Sequence, residues 1–478
     1  MFSVHFFHPS RLHSDTLQKL VVVVFESQDE ELTQRFLEKV GGDLTSCRLD
    51  WEVLFSLLQN STHNITVDLR KNRLLERNIS DLLPFLRRIV FRKPSSIFVK
   101  SIIREIYERR DSDCVSSLLR SLDWINLNSS ELDRVDCAAL CFTLQHSHYV
   151  QVNLLWTSIP PGEIESILPL LDRVSQLSVD RRLLLSFLRC CAASQIQQGA
   201  PPPTAVWLLR ALNHRLDFSC SSSVDLSGDD QEEALCLTTD HCRIITAVLT
   251  QNQHSPDLVQ NPTKKRKRTQ TDPHFQLKKL KLTTHHQNQP RPPPAVQSQV
   301  QSRVQSRVQS QVRLILTDCE VEEGALRELF PVLHFVKLSL SKVLLLQLVD
   351  LVCEGTEEEV LRQAESLVRA LDGKMDLSET RLDQKACGSL ALVLEHSEGL
   401  SELDLSHCHL TDQHLPTLIT HLNKVQVLDL SHNDITDAVT ERIVQLVSTN
   451  PSIHTVRLYN NRIKDRRPFL TDKRFEIW

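Results

Sequence analysis

His407-Cys408-His409, with His414 close behind, is the densest run of metal-ligating residue types in the chain. A structural zinc site needs about four such ligands, commonly as two spaced pairs. No second set with recognisable spacing accompanies this run. Cys408 also occupies a leucine-spaced position whose side chain turns inward, while His407 and His409 flank it on other sides. The run therefore reads as structure, and no metal is expected. His146 and His396 close two equivalent segments and read as packing or capping residues, and His285-His286 is non-specific. Phosphate-binding loops are missing, because neither Gly-x4-Gly-Lys-Ser/Thr nor Gly-x-Gly-x-x-Gly occurs. Gly373-Lys374 lacks both the preceding glycine and the following hydroxyl. Gly-x-Ser-x-Gly and His-Glu-x-x-His are absent too. The expectation is a non-enzymatic protein with no cofactor and no catalytic residues.

Charge points to a different kind of chemistry. Lys264-Lys265-Arg266-Lys267-Arg268 is a five-residue basic run, with Lys278, Lys279 and Lys281 behind it. Its readings are a nuclear import signal, a non-specific contact with nucleic acid or an acidic surface, or a solvated charged segment. Sequence-specific nucleic-acid recognition is not expected, because no zinc-finger or helix-turn-helix signature accompanies it. Nine Lys or Arg against one Asp between Asn261 and Arg291 leave +8 there, so a chain total of −5 leaves −13 elsewhere. Around the run lie Pro290-Arg-Pro-Pro-Pro294, a Gln/His-rich stretch and a Val-Gln-Ser-x repeat from Val296 to Val312. Such a composition cannot bury a core. Residues 251–312 are therefore expected to form a disordered, basic, low-complexity linker, the alternative being a short helix at Val296–Val312, whose period of four is near helical.

The elements that would present a binding surface show in a long-range echo. Residues 125–150 recur as residues 375–400, sharing the frame Leu-x4-Leu-Asp-x3-Cys-x2-Leu-x3-Leu-x-His-Ser. Leu132, Asp133, Cys137, Leu140 and Leu144 match Leu382, Asp383, Cys387, Leu390 and Leu394, and Cys242 opens a third helix of this kind. Thirteen cysteines, with no Cys-x-x-Cys pair, fit small buried packing residues better than a disulfide framework. Near the C-terminus the period is plain. Leu400-x-x-Leu403-x-Leu405-x-x-Cys408-x-Leu410, Val425-x-x-Leu428-x-Leu430-x-x-Asn433-x-Ile435 and Ile453-x-x-Val456-x-Leu458-x-x-Asn461-x-Ile463 follow one another. Leu-x-Leu alternation predicts a short strand, and the i, i+3, i+4, i+7 spacing that follows predicts an amphipathic helix. Asn at the inward position can satisfy neighbouring backbone, and Thr411-Asp412 and Thr436-Asp437 stand where helix N-caps are wanted.

These three motifs resemble the leucine-rich repeat in its long, helix-containing form, and the stretch from Leu400 to Ile463 is similar to ribonuclease-inhibitor-type repeats. The ending, Arg462-Ile-Lys-Asp-Arg-Arg-Pro-Phe-Leu-Thr-Asp-Lys-Arg-Phe-Glu-Ile-Trp478, resembles repeat regions of fish NOD-like-receptor-type proteins. Those receptors carry an ATP-binding NACHT module before their repeats, and no such module is read in this chain. What the resemblance implies is therefore ligand sensing or protein–protein recognition by the repeats, in innate immunity.

The expected fold class is α/β: a leucine-rich repeat solenoid of short parallel strands alternating with helices, in two arrays with a disordered linker. Its expected parts are an N-terminal helical cap region at 1–60, a degenerate array at 61–250, the linker at 251–312 and a C-terminal array with cap at 313–478. Residues between the leucines of each strand face away from the core, onto the concave side. The candidate contact residues are Asp376, Ser378, Glu402, Asp404, Ser406, Val427, Asp429, Ser431, Thr455, Arg457 and Tyr459. Asp376, Asp404 and Asp429 should stack as an acidic ladder ending at Arg457 and Tyr459, residue types that often anchor interfaces. The expected function is a protein-interaction scaffold or adaptor for protein partners. The alternatives are a ribonuclease-inhibitor-like inhibitor of a basic enzyme, and a nuclear adaptor addressed by Lys264–Arg268. Val21–Phe25 is too short to span a membrane. The expected location is cytoplasmic, with the nucleus as a second location if the basic run acts as an address.

Overall fold

The computed structural model describes residues 14–72, 79–122, 124–193, 203–219, 235–253 and 311–477. Its strands are short, pair only in parallel, and alternate with helices. The leucine spacing explains this. In the strand Leu400–Asp404 the side chains of Leu400 and Leu403 are buried, and Leu405, Cys408 and Leu410 continue the buried line past the strand end. The helical segment that follows buries Leu415, Leu418 and Leu422 against them. Three helices, Ser14–Ser27, Glu30–Val40 and Trp51–Gln59, precede the first strand, Ile65–Asp68, and pack through Leu17, Val21, Phe36 and Leu37.

Asparagine at the inward position does what its chemistry allows. Asn433 Oδ1 accepts from the N–H of Cys408 at 3.0 Å and of Leu410 at 2.9 Å, while its Nδ2 donates to the carbonyls of Leu405 and Leu430. Asn72 and Asn461 bridge backbone in the same way. Where the position holds Cys408, Cys319 or Thr157, the single side-chain donor reaches back to a carbonyl of the preceding unit, of Leu377, Phe218 and Leu127 respectively. Asp133 and Asp383 begin their helices as N-caps, their carboxylates accepting from N–H groups one turn on. Asp412 differs from expectation. Instead of capping the following helix, it accepts from both the N–H and the hydroxyl of Thr436 in the next unit.

The strands fall into four main sheets: 65–68 with 89–92; 125–126, 150–154 and 174–179; 215–217, 312–316 and 336–340; and five strands from 374–376 to 475–476. The breaks have one physical cause. Between 92 and 125, between 179 and 215, and between 340 and 374, the chain forms two helices rather than one helical segment: Ser96–Glu108 with Ser112–Ser121, Arg181–Ala193 with Thr204–Ala211, and Lys342–Val352 with Glu357–Ala370. Paired strands sit ~4.8 Å apart, whereas a helix with its side chains is ~10 Å wide. A second helix therefore forces the flanking strands apart. Two-helix units recur every third unit, each followed by a unit with a buried-cysteine helix and then one with a proline-containing helical turn. Pro84 and Pro169 lie 85 residues apart, as do Pro331 and Pro416. The 250-residue echo spans two such cycles plus the sequence inserted between them.

The expected separation at 251–312 meets an unbroken ladder. Strand Arg215–Asp217 pairs with Val312–Leu316, Leu216 opposite Leu314, and the latter pairs with Val336–Leu340. Behind the sheet, helix Thr239–Gln253 packs on Ala325–Phe335, with Arg243 3.1 Å from Glu328. The sequence on either side of residues 254–310 thus meets in one sheet. The reason is that Leu216, Leu314 and Leu338 present matching apolar faces to a shared core. The proposed disordered stretch lies outside the described residues, except for the end of the helix at 251–253 and for residues 311 and 312, where a strand begins.

Candidate functional site

Side chains between the strand leucines form two rows on the face turned away from the helices. In the row nearer the strand ends, Asp376, Asp404, Asp429, Arg457 and Glu476 stand in register on five successive strands. Like charges directly opposite one another are unfavourable, and local hydrogen bonding offsets this. The Oδ1 atoms of Asp376, Asp404 and Asp429 each accept, at 2.9 Å, from the N–H two residues on, at Ser378, Ser406 and Ser431. Asp68 and Asp217 do the same in other sheets. The aspartates therefore close the turn after each strand as well as charging the face. Burial pushes the Asp376 carboxyl up, but the hydroxyl and N–H of Ser378, with Lys342 beside them, leave it below its ordinary value.

The sequence-derived contact residues divide by exposure. Asp376 is exposed, and Glu402, Asp404, Ser406, Val427, Asp429, Thr455, Arg457 and Tyr459 are partly exposed. Ser378 and Ser431 are buried, held by Asp376 and by the N–H of Tyr459. Sequence reasoning missed the closing strand, Phe475–Glu476, and with it the partners of the ladder's end. Glu476 lies 3.2 Å from Arg457 Nε and accepts from the Tyr459 hydroxyl at 2.6 Å, and Arg457 also lies 3.5 Å from Asp429. The signal was the Phe475-x-Ile477 alternation.

In the other row, Lys374, Glu402, Val427 and Thr455 stand in register, with Lys374 paired to Glu402 at 3.0 Å. On the middle sheet the same row is Arg215, Arg313 and Lys337. These cations also escaped the sequence reading, because 97 residues separate the paired positions Arg215 and Arg313.

The histidine–cysteine run separates into unrelated roles. Cys408 is buried, donates to the Leu377 carbonyl at 3.1 Å, and has its thiol pushed up to about 11, chiefly by burial. The His407 ring stacks on His432 with centroids 4.0 Å apart, and His414 Nδ1 accepts from the Thr411 N–H. Among the described residues no group of three or more His, Cys, Asp or Glu is placed to hold a metal ion. His146 packs on Phe142 at the end of its helix, and His396 is the last residue of its own. Lys264–Arg268 and His285-His286 lie outside the described residues. Among the described residues no helix is long and apolar enough to cross a membrane.

Comparison with known families bears on residues 396–438. The family model described as Leucine Rich repeat matches residues 396–413 and 421–438. Residues 396–438 hold two leucine-rich repeats. The matched segments contain the strands Leu400–Asp404 and Val425–Asp429, with Cys408 and Asn433 at the inward position. Leucine-rich repeats are commonly protein-interaction modules and typically non-enzymatic. No curated protein matches the chain.

Proposed function

We propose that the chain is a non-enzymatic recognition scaffold or adaptor that binds protein partners through the concave strand face of a leucine-rich repeat solenoid. The observation that carries this is the register of its outward side chains. Charged and polar groups on successive strands form continuous rows, and the repeats beneath them belong to a class that commonly binds proteins. The resemblance of the C-terminal sequence to fish NOD-like-receptor-type repeats favours a setting in innate immune sensing. A cytoplasmic location suits that setting.

A ribonuclease-inhibitor-like role is the second reading. The in-register row Asp376–Asp404–Asp429 favours it, since an acidic face steers a basic partner in a salt-dependent way. The five-residue run Lys264–Arg268 supports a nuclear address for an adaptor. Quantitative affinity capture from cell lysate would test the main reading by comparing the wild type with Glu402→Lys/Asp404→Lys and with Glu358→Lys on an exposed helix face. Selective loss of partners from the strand-face variant supports it. The same partner set in all three contradicts it.

A further inference from the structure

The gap between strands 174–179 and 215–217 opens a cavity of about 440 Å³, lined among others by Gln176, His214, Arg215, Gln311 and Arg313. The second helix of that unit ends in two left-handed residues, Asn213 and His214, at φ 53° and 55°. The matching turn after the C-terminal two-helix unit has Asp372 and Gly373. A bulky imidazole thus stands where the equivalent turn uses glycine, the residue best suited to that conformation. The Nδ1 atom of His214 is buried without a hydrogen-bond partner, a state that is unfavourable for a polar atom.

Beside His214, Arg215, Arg313 and Lys337 stand directly opposite one another on three adjacent strands. Cations at the ~4.8 Å strand spacing repel. The outer two are compensated, Arg215 by Asp217 at 2.5 Å and Lys337 by Asp372 at 2.8 Å. Arg313, between them, is exposed and has no ion-pair partner among the described residues. Three cations against two carboxylates leave a single positive charge at the mouth of the cavity.

We propose that this opening receives a carboxylate side chain of an acidic peptide segment of the partner, with the Arg313 guanidinium as its principal donor. Arg215, Gln176, Gln311 and His214 line the place where its oxygens would lie. A guanidinium presents paired donors that match a carboxylate. The single residual charge suits a monoanion rather than a dianionic phosphate. The site rests on the strand-face reading and adds to it the chemical class of the partner's contact.

The test is fluorescence anisotropy of labelled hexaglutamate on the full chain at low salt. All proteins in it carry alanine at Lys264, Lys265, Arg266, Lys267 and Arg268, so that this basic run does not hold the peptide. Arg313→Gln should weaken binding about tenfold or more, as expected for loss of a charge-assisted contact, and Arg313→Lys should weaken it less. Exposed Arg313 tolerates both changes, and unchanged thermal melts would show that the fold is retained. Equal binding by wild type and Arg313→Gln, equal binding of hexaglutamine, or full displacement by equimolar inorganic phosphate would overturn the proposal. If hexaglutamate fails while a captured partner still cross-links to the strand face, the carboxylate site falls and the recognition reading stands. If hexaglutamate binds through Arg313 while the partner cross-links to the helices, the reverse holds.

Discussion

Asn433 reaches back one unit to hold Cys408: its side-chain oxygen lies 3.0 Å from the Cys408 N–H and 2.9 Å from that of Leu410. Its Nδ2 also reaches the carbonyls of Leu405, Leu430 and Ser431, so one side chain serves five backbone groups that the strand-to-turn transition leaves open. Replacing it with alanine should lower stability by about 2–4 kcal/mol, since unsatisfied buried groups cost about 1–3 kcal/mol each and water can reach some of them. Asn433→Cys should cost less, because cysteine already serves at the equivalent position 408. Urea unfolding followed by circular dichroism checks both. Equal losses for the two variants would contradict this role.

Glu476 gives a pH dependence. The hydrogen bond from Tyr459 holds its carboxyl below the ordinary value of 4.5; burial opposes this and Arg457 assists it. A depressed folded-state pKa makes the contribution full above about 4.5 and lost as pH falls through the folded value. The stability difference between wild type and Glu476→Gln should therefore be constant near neutrality and shrink below about pH 4.5. Denaturant titrations across that range measure it, and a constant difference into the acid would contradict the coupling.

The ladder across residues 254–310 makes a mechanical prediction. A protease site engineered into that interval, once cut, should leave two pieces that co-elute in size-exclusion chromatography until urea is added. The pairing of 215–217 with 312–316 and the packing of helix Thr239–Gln253 on Ala325–Phe335 hold them together. Pieces that separate in native buffer would contradict the shared sheet.

How much of this was legible in the sequence follows from where each contact lies along the chain. The strands at Leu400–Asp404 and Val425–Asp429 could be read because Leu-x-Leu and the inward Cys or Asn sit within one unit of about 25 residues. Arg313 was not legible as a site residue. Its neighbour Arg215 becomes one only through pairing across residues 254–310, and Ile315 blurs the alternation of its strand. Arg457 and Tyr459 were legible as outward residues, but their attachment to Glu476 depends on a two-residue strand with little pattern of its own. Asp412 looked like a helix cap because nothing in the local sequence shows Thr436 approaching from the next unit.

The most direct test of recognition by the strand face is lysine cross-linking of the native chain to a captured partner, read by mass spectrometry. Lys337 and Lys374 stand in the outward rows and Lys342, at the start of its helix, lies 3.5 Å from Asp376, whereas Lys19, Lys39 and Lys385 lie on helices away from these rows. The account predicts partner cross-links concentrated at Lys337, Lys342 and Lys374. Cross-links concentrated at Lys19, Lys39 and Lys385 would contradict it.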